Sequence, residues 1–78
     1  MEEEPVCTDL SDDKRLLLTA ESYNAIRIYD VSSGEKVWEY FETEEVRQLK
    51  WLVTGCSIAI ETVSNFKTLQ LLLNFNKY

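Results

Sequence analysis

The groups in this chain that could do chemistry are two cysteines, several hydroxyl side chains and fourteen carboxylates, and there is no histidine. A serine or cysteine nucleophile needs a general base beside it, and histidine most often fills that role. The bases that remain are carboxylates and lysines, none of which stands in a recognisable motif. Acidic pairs such as Asp12-Asp13 and Glu44-Glu45 fall in predicted turns, where solvated carboxylates are usual. The sequence therefore predicts a protein that is not an enzyme.

The same inventory gives no reason to expect a metal or a cofactor. Structural zinc sites use paired Cys and His ligands, whereas Cys7 and Cys56 are separated by most of the chain. Gly34 and Gly55 each fit a turn, so there is no glycine-rich phosphate loop. A disulfide between the two cysteines is arithmetically allowed. Reduced thiols are favoured because MEEEP, at the N-terminus, lacks the apolar run of a secretory signal, and we expect a cytoplasmic or nuclear protein.

Charge narrows the range of direct ligands. The net charge is −6, which argues against nucleic acid and anionic lipid, because both need clustered Lys and Arg. Residues 2–4 form an acidic arm, and Glu39, Glu42, Glu44 and Glu45 form a second acidic cluster. The longest apolar runs, residues 16–18 and 71–73, are too short to cross a bilayer. We expect a protein partner rather than a membrane or a nucleic acid.

The hydrophobic pattern is that of short strands separated by polar turns. Ile26 and Ile28 alternate with Arg27 and Tyr29, for example, as in a strand with one buried face. The pattern predicts seven strands, at residues 6–10, 16–20, 25–31, 36–41, 46–53, 57–63 and 68–75. The fold class is therefore all-β, an antiparallel β-meander with no convincing helix.

One of these segments has two interpretations. Residues 46–53 are rich in good helix formers, and a helix would place Val46 and Leu49 on one side, with Leu52 or Val53. A strand is favoured because Leu49, Trp51 and Val53 alternate, and because Gly55 stops the segment after barely two helical turns.

The chain also contains a weak internal repeat. A shift of 43 positions aligns residues 10–28 with residues 53–71 without a gap, so that Leu17 meets Ile60 and Ile26 meets Leu69. Together with the acidic composition of residues 1–5, which form an N-terminal arm, this alignment predicts a first blade-like repeat at 6–42 and a second, incomplete one at 43–78. A repeat of about 40 to 45 residues with four short strands has the size of one propeller blade.

The stretch LSDDKRLLLTAESYNAIRIYDVSSGEKVWEYF resembles one repeat of the WD-repeat β-propeller family. Tyr29-Asp30 stands where the family has Trp-Asp, Thr19 matches its hydroxyl position, and Asn24 is the nearest polar group in the turn between the second and third strands. The family's Gly-His pair is missing, and Leu72-Leu73 occupy the aromatic-Asp position of the second repeat. The resemblance covers about residues 6–75 and implies one blade and most of a second.

Fewer than three such repeats rarely bury their own faces, so the resemblance implies completion by other strands, by self-association or by a partner chain. We therefore expect a protein–protein interaction scaffold that contacts its partner through aromatic residues and a final apolar edge strand. The expected contact residues are Trp38, Tyr40, Trp51, Leu69, Leu71, Leu73 and Phe75. Core packing is the alternative role of the aromatics. The alternative function is a small autonomous acidic protein that inhibits a basic partner by mimicking a polyanion.

Overall fold

The computed structural model describes residues 5–22, 24–53 and 55–71, all as strands and their connections. The residues fold into seven antiparallel strands in two sheets, which confirms the all-β prediction. Sheet A has the order β1-β2-β3-β4, and sheet B has the order β5-β6-β7. The strands are β1 (Pro5–Leu10), β2 (Leu16–Glu21), β3 (Ala25–Asp30), β4 (Lys36–Phe41), β5 (Val46–Val53), β6 (Ser57–Thr62) and β7 (Phe66–Gln70).

The ambiguous segment is a strand. β5 pairs antiparallel with β6, so that Leu49 lies opposite Ile60 and Trp51 lies opposite Ile58. The register shifts at two points along this pair. The first shift, between Val46 and Gln48, brings Val46 to the same buried side as Leu49 and Trp51. The resulting three-residue spacing of Val46 and Leu49 is what made the segment look helical.

The last strand differs from its prediction. β7 begins at Phe66, two residues earlier than expected, because the Thr62 N–H donates to the Asn65 carbonyl at 2.8 Å and closes a shorter turn. The strand ends at Gln70, and Leu71 follows it outside regular structure. The remaining part of the predicted strand, residues 72–75, lies outside the described residues.

The strand starts recur at a different offset from the sequence alignment. β5, β6 and β7 begin 41 residues after β1, β2 and β3 respectively, whereas the alignment used a shift of 43. The two offsets differ by two residues, the side-chain period of a strand, so both match Leu17, on the outer side of sheet A, with a core isoleucine of β6. The order of three successive strands recurs, but the side chains at matched positions do not face the same way throughout.

One hydrophobic core lies between the two sheets. Successive side chains of a strand point to opposite faces, and the inner faces of both sheets supply the same buried cluster. Its fully buried large side chains are Leu18, Ile26, Ile28, Val46, Ile58 and Ile60. Neither sheet has enough apolar surface to form a core alone, so each one covers the other.

The sheets approach most closely where β5 meets β1 and β2. There the Asp9 carboxylate accepts a hydrogen bond from the Trp51 backbone N–H at 2.7 Å, and the Trp51 indole N–H donates to the Asp9 carbonyl at 3.1 Å. Trp51 is 8% exposed. These bonds satisfy polar groups that would otherwise be buried without partners, and they fix β5 against β1.

The connections after β2, β4 and β6 lie at one end of the molecule, which we call the Glu42 end. The Glu42 N–H donates to the Asn24 carbonyl at 2.9 Å, and the Val63 N–H donates to the Glu45 carbonyl at 3.2 Å. The connections after β1, β3 and β5 lie at the opposite end, where Gly34 and Gly55 adopt φ angles of 78° and 75°. This left-handed conformation is why glycine stands in those two predicted turns.

Replacing Ile60 by alanine tests the shared core. Ile60 is fully buried, so the lost transfer energy and the residual cavity should lower the free energy of unfolding by about 2–5 kcal/mol. The matched control is Val53→Ala at a residue that is 57% exposed, where the change should stay within about 0.5 kcal/mol. Urea unfolding monitored by Trp fluorescence measures both, and equal effects would contradict the assigned core.

Candidate interaction edges

Two of the four sheet edges are open among the strands that the structure describes. The edge strands are β1 and β4 in sheet A and β5 and β7 in sheet B. β1 and β5 lie against each other, whereas β4 and β7 have a sheet neighbour on one side only. An open edge presents unpaired N–H and C=O groups that can pair with another strand. β4 and β7 are therefore the candidate sites of interaction.

The outward groups of β7 belong to uncharged residues. The Leu71 N–H donates to the Cys56 carbonyl at 2.7 Å, and ladder bonds of an antiparallel pair recur at every second residue. Lys67 and Leu69 therefore bond to β6, and the backbone groups of Phe66, Thr68 and Gln70 point away from the sheet. Those three side chains carry no charge, and the charged side chain of β7, Lys67, pairs with the Glu42 carboxylate 3.0 Å away. The charge that would usually protect an edge strand against pairing is therefore neutralised within the chain.

The open edge of β4 carries aromatic residues on its inner side. Trp38 and Tyr40 lie opposite Ile28 and Ile26 of β3, and their rings stack with centroids 5.9 Å apart and an interplanar angle of 12°. Both side chains are only half-buried, although they pack against the core. The edge therefore holds apolar surface that the two sheets cover incompletely.

The ladder also fixes which backbone groups of β4 are free. The Glu42 N–H bonds to Asn24, so the bonded positions of β4 are Tyr40 and Trp38. The backbone groups of Glu39 and Phe41 consequently point outward. This edge bears the Glu39 carboxylate, which lies 2.7 Å from Arg27 Nε and 3.0 Å from Lys36 Nζ. The charged side chain of β7 is instead a lysine, Lys67.

The predicted contact residues lie in different environments in the structure. Trp51 is a core residue, so it has the packing role that was the alternative for the aromatics. Leu71 is 7% exposed and Leu69 is half-buried on the inner side of β7. Leu73 and Phe75 lie outside the described residues. Trp38, Tyr40 and Leu69 are brought to the open edges, and binding of a partner by them stays a prediction.

Two exposed phenylalanines were missed by the sequence analysis. Phe66 is 69% exposed and Phe41 is 59% exposed, the highest values among the exposed large hydrophobic residues. Phe66 begins β7 and Phe41 ends β4, so both lie on open edges at the Glu42 end. For Phe66 the signal was a phenylalanine in a segment assigned to a turn, whereas Phe41 had been assigned to the end of a strand.

The outer face of sheet A carries an ordered polar network. Arg27 Nη1 lies 2.6 Å from Glu21, and Arg27 also pairs with Glu39, so that one guanidinium joins two carboxylates. Glu21 further accepts hydrogen bonds of 2.9 Å from the hydroxyls of Thr19 and Tyr29. Burial raises the pKa of Glu21, but these hydrogen bonds outweigh it, and the net pKa lies below its ordinary value.

Most of the predicted acidic cluster is engaged in internal contacts. Glu42 is 4% exposed and its carboxylate lies 3.0 Å from Lys67 Nζ, which ties the end of sheet A to β7. Glu44 accepts hydrogen bonds from Thr62 and Ser64, which lower its pKa. Glu39 pairs with Arg27 and Lys36. These contacts leave fewer free carboxylates for mimicry of a polyanion.

The reactive groups are dispersed. Cys7 is half-buried, and burial raises the pKa of its thiol, while Cys56 is exposed at a turn, and both thiols are free. Over residues 5–22, 24–53 and 55–71, no three His, Cys, Asp or Glu side chains cluster so that they could hold a metal ion. The same part of the chain has no helix of the length and apolarity needed to cross a membrane.

Comparison with known proteins gave no relative: no protein-family model, no curated protein and no solved structure matches this chain.

Removing the Lys67 ammonium tests whether its ion pair with Glu42 stabilises the contact between the two sheets. Lys67→Met leaves the buried Glu42 carboxylate without its counter-ion, which should reduce the free energy of unfolding by about 1–3 kcal/mol. Lys50→Met, at an exposed position of β5, is the matched control and should change it by less than about 0.5 kcal/mol. Chemical denaturation measures both variants. Equal effects would show that the ion pair does not stabilise the sheet contact.

Acid should destabilise the fold through the carboxylates of lowered pKa. Hydrogen bonds lower the pKa values of Glu39 and Glu44, and the net pKa of Glu21 is also lowered. A lowered folded-state pKa contributes stability above the unfolded value of about 4.3, and this is lost as the pH falls through the folded values. The urea midpoint should therefore fall between pH 5 and pH 3. Glu21→Gln should fall less steeply, and an unchanged profile would contradict the role of Glu21.

Proposed function

We propose that this chain is a non-catalytic protein–protein interaction module whose open edges, β4 and β7, accept another strand or sheet. The observation that carries this proposal is the β7 edge, where the outward backbone groups of Phe66, Thr68 and Gln70 belong to uncharged residues. Strand addition at such an edge gives affinity through main-chain hydrogen bonds, and the adjoining side chains give specificity.

The side chains beside the edge support the same function. Sheet A has four strands and sheet B has three. A strand added to β7 would give sheet B a fourth strand, placed to cover the inner side of β4. Trp38 and Tyr40 are the half-buried residues of that side. Trp and Tyr are enriched among residues that dominate binding energy, so their placement favours a recognition role.

The resemblance to WD-repeat propellers is consistent with this function. Sheet A is a four-stranded meander of blade size, and three of its strand starts recur 41 residues later. Thr19 and Tyr29, which correspond to polar-network positions of that family, both donate to Glu21. Asn24 instead donates to the Glu42 carbonyl at 2.7 Å. On this proposal the two sheets are blade-like units, and further strands or sheets complete the assembly.

Site-specific photo-crosslinking tests the interaction function. A photoreactive phenylalanine analogue at position 66 should give covalent adducts with a second polypeptide, either another copy or a different protein, when the chain is expressed in cells. The same analogue at position 33, an exposed turn residue at the opposite end, is the control. Gel shift and mass spectrometry identify the adducts. Equal or absent adducts at the two positions would contradict an interaction edge at β7.

A further inference from the structure

We propose that the chain forms a two-fold symmetric dimer in which β4 of each copy pairs antiparallel with β7 of the other. Sheet A of one copy and sheet B of the other then join into a seven-stranded sheet, and the dimer consists of two such sheets facing each other. This inference rests on the proposed function, because it names a second copy of this chain as the occupant of the same edges.

The unequal widths of the two sheets make the chain complementary to itself. Sheets A and B start together where β1 meets β5, and sheet A has one strand more. β4 therefore extends past β7 by about one strand spacing, roughly 4.8 Å. In the dimer, the overhanging β4 of one copy lies across from the overhanging β4 of the other. Each overhang fills the space that the shorter sheet leaves open.

The strand directions agree with this symmetry. β4 ends at the Glu42 end and β7 begins there, so the two strands run in opposite directions within one copy. The 3.0 Å ion pair between Glu42 and Lys67 shows that the end of β4 is level with the start of β7. Rotation about an axis along the strands keeps that level. Phe41 of one copy thus comes near Phe66 and Thr68 of the second copy, which are the outward-pointing residues at the start of β7. We take the register that sets Phe41 beside Phe66, because it brings together the two most exposed large hydrophobic side chains among the described residues. The paired strands are antiparallel.

The backbone groups fit the same register. Phe41 lies opposite Phe66 of the second copy, Glu39 lies opposite its Thr68, and all four residues have backbone groups that point outward. On the inner side, Trp38 lies opposite Leu69 of the second copy, which joins the two apolar faces. Directly opposite residues of an antiparallel pair share a face. This alignment therefore meets both the hydrogen-bonding requirement and the facing requirement. The contact between Phe41 and Phe66 distinguishes it from an alignment shifted by two residues, which would meet the same two requirements.

Charge favours this pairing over the pairing of like strands. Two copies of β4 overlapping at residues 37–41 would set Glu39 directly opposite Glu39, and like charges in that position are destabilising. If β7 instead paired with β7 of the second copy, the overhanging β4 strands of the two copies would occupy the same space. The mixed pairing sets no like charges opposite. Because each chain carries a net charge of −6, added salt should strengthen the dimer by screening.

Mixed disulfide formation tests the register directly. In a background with Cys7→Ala and Cys56→Ser, a Phe41→Cys chain mixed with a Phe66→Cys chain should form a covalent dimer under mild oxidation. Their Cα atoms would be about 5.5 Å apart, as in a hydrogen-bonded antiparallel pair, which a disulfide can span. Phe41→Cys alone should not cross-link, because its two copies lie on facing sheets about 10 Å apart. Phe41→Cys mixed with Thr68→Cys is the register control and should also fail.

Charge substitution tests the same edge without cysteines. Thr68→Glu would set a glutamate opposite Glu39 of the second copy at both symmetric edges, and it should weaken dimerisation at least tenfold by sedimentation equilibrium. Thr8→Glu is the matched control at an exposed residue of the edge strand β1, and it should weaken dimerisation less than twofold. Circular dichroism should confirm that both variants are folded.

The outcomes separate this inference from the proposed function. A particle of twice the 9.1 kDa chain mass, with the mixed disulfide at positions 41 and 66, supports the dimer. A purified chain that stays monomeric at millimolar concentration, or that cross-links equally in the register control, overturns it. If the monomeric chain nevertheless forms adducts with a different protein at position 66, the dimer is wrong and the interaction function stands.

Discussion

The mutual burial of two sheet faces is the constraint on which the rest of this structure depends. A chain of 78 residues buries only about 60% of the surface that its unfolded form exposes, so neither sheet can form a core alone. The contact is fixed at one side by two hydrogen bonds that Trp51 of β5 donates to Asp9 of β1. That arrangement closes two sheet edges and leaves the other two, β4 and β7, without a second neighbouring strand among the described residues.

The positions of the main ion pairs follow from this arrangement of the two sheets. Glu42 becomes buried at the end of sheet A, and Lys67 of sheet B supplies its counter-ion. Arg27 lies on the outer face of sheet A, where two carboxylates neutralise it. Much of the negative charge is thus committed to holding turns and strands in place. The two open edges differ in charge, and the sheets that carry them differ in the number of strands. These differences allow the two edges to complement each other.

The strand pattern could be predicted from sequence because alternation of apolar and polar residues is a local property. Ile26 and Ile28 predicted the inner face of β3 correctly. The sequence left Trp51 between a contact role and a core role, because its burial depends on how β5 packs against β1, a contact between residues 42 positions apart. The place of Phe66 at the start of an edge strand could not be predicted either, since it depends on a hydrogen bond between Thr62 and Asn65 that shortens the preceding turn. The sequence showed only an unexpected phenylalanine in a predicted turn. Which side chains of a strand are buried, and which sheet edges are exposed, both depend on tertiary packing.

Amide hydrogen exchange along β7 tests most directly whether this edge is open and available for pairing. In dilute solution, where single copies predominate, the amides of Lys67 and Leu69 should be protected by β6, and those of Phe66, Thr68 and Gln70 should exchange fast. At high protein concentration, or with a bound partner, the latter three should become protected as well. If Phe66, Thr68 and Gln70 are already protected in the dilute monomer, the edge is covered within the chain and the account is contradicted.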